Sequence, residues 1–168
     1  MENRKPFTIT RTFDAPQALV WEASTKPEHL MHWWGPVGMK MKHATVDLRP
    51  GGMFHYGMEA PDGTEMWGRF VYREIHPVSK LVFVVSFSDK SGGITRHPIA
   101  PDWPAEMMNI LELSESNGKT TLTLTGYPIN ATGPEEDIYY SNFGSMNGGF
   151  NATYDQLEKY LKELAGKA

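Results

Sequence analysis

Cysteine is missing from all 168 residues. That excludes disulfides, thiolate nucleophiles and cysteine-ligated metal, and it is the composition expected in a reducing cytoplasm. Long apolar runs are missing too. The opening MENRKPFTITRTF passes straight into strand-like alternation, with no apolar stretch behind its basic residues, so neither an export signal nor a membrane span is expected. Sixteen Lys and Arg against twenty Asp and Glu give a net charge of -4. The basic residues do not cluster, which removes the electrostatic footprint of a nucleic-acid binder. There is no Gly-x-Ser-x-Gly elbow for a serine nucleophile either, and Phe143-Gly144-Ser145-Met146 reads only as a loop or a helix entry.

What the chain has in quantity is bulky, adaptable side chains: ten Met, eight Phe, seven Tyr and five Trp, beside twelve Pro and sixteen Gly. Such residues build an ordinary core, and they equally suit the wall of an apolar pocket. The length fits one domain over residues 1–168.

The segment Met146 to Leu164 organises the rest. Met146, Phe150, Tyr154, Leu157, Leu161 and Leu164 recur at steps of three or four, with Tyr160 widening the stripe. That is the period of a helix with one dry face. Glu158 and Lys162 stand in the favourable i,i+4 order on the wet face. Ahead of it, residues 6–14 alternate as a half-buried strand. Two short helices are expected next, one opened by Pro16 with Asp14 as cap, the other by Pro27 with Leu30, Met31, Trp33 and Trp34 on its buried side.

Six further strands are expected at Lys42–Arg49, Met53–Glu59, Glu65–Ile75, Leu81–Ser88, Ala105–Ser114 and Thr120–Tyr127. Asn117-Gly118 marks the last hairpin. Residues 89–104 form a long Pro- and Gly-rich loop expected to act as a lid. Thr132 is a candidate cap for a helical tail, and Gly148-Gly149 implies close backbone packing, a kink, or a gap reserved for a ligand. The fold class is α+β: a seven-stranded curved antiparallel sheet wrapped around a long C-terminal helix, with two short helices after the first strand.

Four phrases in this order carry a family resemblance: FDAPQALVWEASTKPEHLMHWWGP (13–36), VDLRPGGMFHYGM (46–58), PDGTEMWGRFVYREIHP (61–77) and the terminal helix around Tyr154-Asp155-Gln156-Leu157. The chain resembles the START-like (SRPBCC) helix-grip superfamily, and more narrowly its bacterial branch of homologues of the activator of the heat-shock-protein-90 ATPase. The resemblance implies a cavity for a lipid, sterol, polyketide or other apolar molecule, with cyclisation or hydrolysis in some members. It does not carry the chaperone role across, because the eukaryotic activator binds its chaperone through a separate N-terminal domain. Phe150 stands where many relatives have Trp, which bears on the volume beside the helix.

The candidate ligand contacts are Trp33, Trp34, His97, Trp103, Met107, Asn109, Tyr127, Tyr140, Phe143, Met146, Asn147 and Phe150. They combine apolar bodies with polar tips near one end of the sheet and along the terminal helix. Of the six histidines, His29, His32, His43, His55, His76 and His97, only His29 and His32 are close in sequence, so neither a metal nor another cofactor is expected. Strand parity puts Phe54, Tyr56 and Met58 on an inner face, and His55, Glu59, Trp67 and Arg69 outside.

The reading is therefore binding of a small apolar or amphipathic ligand between sheet and helix, in a protein without a membrane span or a nucleic-acid partner. One alternative is an interaction or chaperone-cofactor domain presenting Trp67, Arg69 and Arg73 to a partner or, as a homodimer, to a second copy. Another is a cavity enzyme of cyclase or hydrolase type with His55 or His97 as base.

Overall fold

The computed structural model describes residues 4–166. Alternation along β1 (Phe7–Phe13) buries Phe7, Ile9 and Phe13, and the chain then turns into α1 (Gln17–Thr25) and α2 (Pro27–Trp33). Strands β2 (Lys40–Val46), β3 (Met53–Glu59), β4 (Glu65–His76) and β5 (Lys80–Ser88) form a meander. A two-residue strand, β6 (Ile94–Thr95), precedes the hairpin of β7 (Glu106–Ser116) and β8 (Lys119–Ile129), and the chain closes with α3 (Gly133–Ser141) and α4 (Phe143–Gly166). The curved antiparallel sheet runs in the order β1-β8-β7-β5-β4-β3-β2, with β6 pairing β5 alone. The seven expected strands are all present, and β6 is the addition. It arises because Phe87 and Ser88 extend past the end of the β5–β7 pairing and take Thr95 and Ile94 as partners.

The concave face of the sheet grips α4, whose buried residues are Thr153, Tyr154, Leu157, Tyr160 and Leu161. Leu157 is fully buried, worth about 1.5–3 kcal/mol of apolar burial. An ion pair seals one edge: Arg11 on β1 reaches Asp155 at 2.9 Å and also donates to the Asn151 carbonyl at 3.1 Å.

Several local expectations are corrected. Asp14 does not cap α1; Pro16 holds the cap position without a side-chain bond, and the free Gln17 N–H donates instead to Glu115 Oε1 at 2.6 Å. Met31 lies on the outer side of α2, 42% exposed, because the helix buries Leu30 and Trp33. The chain breaks at Asn142 rather than at the glycines, and α4 begins at Phe143, with Gly148 and Gly149 inside it. Thr132 does cap α3, in a reciprocal box with Glu135. Asn117 and Gly118, with φ of 54° and 75°, make the two-residue turn between β7 and β8.

Candidate functional site

Where α4 leaves the sheet, a cavity of about 630 Å³ opens between the inner face of β3 and β4, the first half of α4, the end of α3, the segment after α2 and the loop before β7. Its floor follows from strand parity. Tyr56 and Met58 point inward from β3 beside Met66 of β4, while Phe87 comes from β5. Tyr56 faces Gly68 across the β3–β4 ladder, and a methyl on Gly68 would sit 2.3 Å from the Tyr56 hydroxyl and 2.4 Å from its ring carbon. The tyrosine therefore rests on bare backbone. On the outer face the neighbouring pair repeats the arrangement, with the Trp67 ring 2.7 Å from where a Gly57 methyl would be.

The back wall is set by consecutive tryptophans. Trp33 is 4% exposed and its indole N–H donates to the Ala23 carbonyl at 2.8 Å, so it is committed to packing α2 on α1. Trp34 lies past the helix end and turns the other way, edge-on to Tyr56 at 5.9 Å and Phe70 at 5.2 Å. Its indole N–H is buried beside the Tyr56 hydroxyl, short of a well-formed hydrogen bond among the described residues. Gly35 follows with φ of 110°, and a methyl there would lie 2.4 Å from the Met58 sulfur, so both backbone and packing require glycine. From α4, Gln156 donates to the Trp33 and Gly35 carbonyls at 3.1 and 2.8 Å, which fixes this segment as a wall.

The loop before β7 supplies His97, Ala100 and Trp103. The backbone N–H groups of Ile99 and Ala100 both donate to His97 Nδ1 at 3.1 Å, and the ring packs edge-on to Phe87. Trp103 stacks obliquely on Tyr139 at 5.4 Å. The Tyr56 phenol is pushed up to about 12, chiefly by burial and against the lowering influence of Trp34. Among the described residues, no Asp, Glu, Lys or Arg lines the cavity.

Of the sequence-selected residues, Trp34, His97, Trp103, Met146 and Phe150 line this cavity. Asn109 and Trp33 line a second space of about 30 Å³ behind it, which shares Trp34 and Phe150 as walls. Met107, Tyr127, Tyr140 and Phe143 line neither. Met107 is buried in the sheet, and Tyr140 and Phe143 pack on each other. Asn147 is exposed on the far side of α4, its carbonyl accepting from the Asn151 amide at 3.0 Å, and it lines neither space. Gly148 and Gly149 meet nothing within 4 Å where a methyl would be, which overturns the close-packing alternative; Gly149 borders the cavity. Sequence reasoning missed Tyr56, Met58, Asn142 and Ser145 as lining residues.

The histidines separate. His29 Nδ1 lies 2.6 Å from the Tyr160 hydroxyl and His32 stacks on the same ring, tying α2 to α4. His43 and His55 pack around Trp67 on the outer face, which places His55 away from the cavity that it would serve as base. Arg69 there donates to the Gly92 carbonyl at 2.9 Å, whereas Arg73 is exposed. Among the described residues no three His, Asp or Glu converge on a metal position. No helix among them is long and apolar enough to cross a membrane.

The family model described as Activator of Hsp90 ATPase homolog 1-like protein matches residues 14–162. The chain belongs to that family. Its helix-grip fold is that of ligand-binding domains in general. Among solved structures it is similar to a protein from Nitrosomonas europaea, 25% identical, with 99% of each chain covered and a TM-score of 0.74. It is also similar to one from Arthrobacter aurescens, 25% identical over 94% of this chain and 86% of that one, with a TM-score of 0.75. The AHSA1 protein from Silicibacter pomeroyi shares the fold at 16% identity, covering 97% and 99% of the two chains, with a TM-score of 0.69. No curated protein matches the chain in sequence.

Proposed function

We propose that this helix-grip domain binds a small apolar or amphipathic molecule between its sheet and α4. The observation that carries the reading is the cavity of about 630 Å³ with an apolar wall free of Asp, Glu, Lys and Arg, in the size range of small-molecule sites. Binding is favoured over acid–base catalysis because no carboxylate lines the space and His97 Nδ1 is already taken by two backbone N–H groups. The outer sheet face is the weaker interaction surface, since Trp67 and Arg69 are engaged within the chain. A cytoplasmic setting accords with the lack of cysteine.

The test is titration with Nile red, an uncharged apolar dye. Saturable uptake of one dye per chain that is blocked by Gly149→Leu, a side chain growing into the cavity, supports the reading. Absence of saturable uptake, or uptake indifferent to Gly149→Leu, overturns it.

A further inference from the structure

The segment that leads from β5 to β7 touches both faces of the sheet. Its first part lies against the outer face, where Arg69 Nη1 donates to the Gly92 carbonyl at 2.9 Å and His55 Nε2 donates to the Asp89 carbonyl at 3.2 Å. Both side chains point away from the cavity: Arg69 pairs with His55 and Ser86 in the ladder, whereas Gly68 pairs with Tyr56 and Phe87, which are cavity walls. The chain then rounds the sheet as β6, where Ile94 and Thr95 pair with Ser88 and Phe87 past the end of the β5–β7 ladder. Its second part covers the cavity with His97, Ala100 and Trp103.

The first part is held down by few bonds. Asp89 Oδ1 accepts from the Ser91 and Gly93 N–H groups at 2.8 and 2.9 Å, so the turn is closed on itself. Among the described residues Arg69 has no carboxylate partner, and its one hydrogen bond is the one to Gly92. Arg69 Nε, Ser86 Oγ and Ser88 Oγ are buried on this face without a hydrogen-bond partner among the described residues, so closure leaves polar groups unanswered, at a cost. β6 is only two residues long, too short to keep its place unaided. Its flanks keep it: the Arg69 bond before it, and the Arg96–Glu135 ion pair after it.

Resting on the binding reading above for what the cover guards, we infer that Arg69, on the face opposite the cavity, is a positioning residue for that cover. Its bond to the Gly92 carbonyl holds the turn against the outer face, and β6 carries the hold round to His97 and Trp103. Arg69 thereby governs how fast a guest enters and leaves, although it lines no part of the cavity.

Arg69→Met removes the donor and keeps a long stem; Arg73→Met, an exposed arginine of the same strand, is the control. Hydrogen–deuterium exchange of the unliganded proteins is the first readout. Arg69→Met should exchange about tenfold faster over residues 94–103, the scale of a hydrogen bond from a charged group, with β7 and β8 unchanged. Arg73→Met should match wild type. Gly92→Ala attacks the other end of the same bond, because a φ of 90° disfavours any side chain, and should give the same result if Arg69→Met does not fold. Unchanged exchange over 94–103 in the variants that fold, or exchange raised equally throughout the chain, overturns the inference. Stopped-flow mixing with Nile red is the second readout. Uptake and release should both quicken severalfold with the Kd nearly unchanged, since a gate acts alike in both directions. Rates equal to those of wild type, or a Kd weakened in step with release, overturn the gating claim. If wild type takes up no dye, the binding reading fails, and the exchange data still decide whether Arg69 positions the cover.

Discussion

Arg96, in the loop over the cavity, is ion-paired with Glu135 in the first turn of α3, so a single contact joins the cover of the site to the helix beside its mouth. Each partner is fastened locally as well: Glu135 Oε1 accepts from the Thr132 N–H at 2.9 Å, and Arg96 also donates to the Trp103 carbonyl at 3.4 Å. Backbone hydrogen bonding from Thr132, followed by Arg96, holds the Glu135 carboxyl below the usual carboxylate range. A lowered folded-state value makes the contribution to stability complete above the unfolded glutamate value of about 4.3. It is lost as pH falls from there through the folded value. Glu135→Gln keeps a capping-box residue but removes the charge. It should melt lower than wild type at pH 7 and lose less on acidification from pH 5 to 3. Melting curves across that range check it, and a variant as pH-sensitive as wild type would refute the assignment.

Gly148 and Gly149 stand inside α4 with open space where a side chain would start. Replacing either by Ala should stabilise the helix by about 1 kcal/mol, a rise in Tm of about 3 °C for a chain of this size. The two sites should part company in binding. Gly148→Ala leaves Nile red uptake intact, because only Gly149 borders the cavity. A fall in Tm for either Ala variant would show that something does pack there.

Trp103 lines the cavity and rests on Tyr139 while remaining only partly buried. Trp103→Ala should weaken uptake of the dye severalfold and move Tm little. The loop carrying it should exchange amide hydrogens faster than β5 and β7 and slow when dye is present. A Tm lowered by many degrees with uptake unchanged would make Trp103 a core plug.

Trp33 should behave in the opposite way. Its ring is buried and its N–H satisfies the Ala23 carbonyl, so Trp33→Phe leaves a void and an unpaired acceptor. A loss of about 1–3 kcal/mol is expected, read as a lower Cm in urea, with dye uptake retained at temperatures where the variant is folded. An unchanged Cm would contradict this.

These neighbouring tryptophans show where sequence reading reaches its limit. Period and punctuation made the strands legible, because Phe54, Tyr56 and Met58 must share a face whatever surrounds them. Type alone could not divide Trp33 from Trp34, since the division depends on α2 ending between them. Asn147 was misjudged for a related reason. Helical phase was counted correctly along the apolar stripe, but Asn147 falls on the opposite side of α4 from Ser145, Met146 and Gly149, which meet the cavity, and is exposed there. Tyr56 was placed on the inner face but not among the ligand contacts. Only the space left between β3, β4 and the first half of α4 turns that part of the inner face into a floor.

The stacking of Tyr56 on the naked backbone of Gly68 gives the cavity a hard side and a soft side. A ring pressed against backbone has no side chain beneath it to re-pack, so the floor behaves as an anvil. A guest too large for the space can be admitted only by displacement of the opposite boundary, the Asn142 break and the His97–Trp103 stretch. Size tolerance therefore belongs to the hinge between α3 and α4, and resizing the pocket from below means trimming the ring itself: Tyr56→Ala would sink a shaft to the Gly68 backbone without disturbing the strand pairing that holds it.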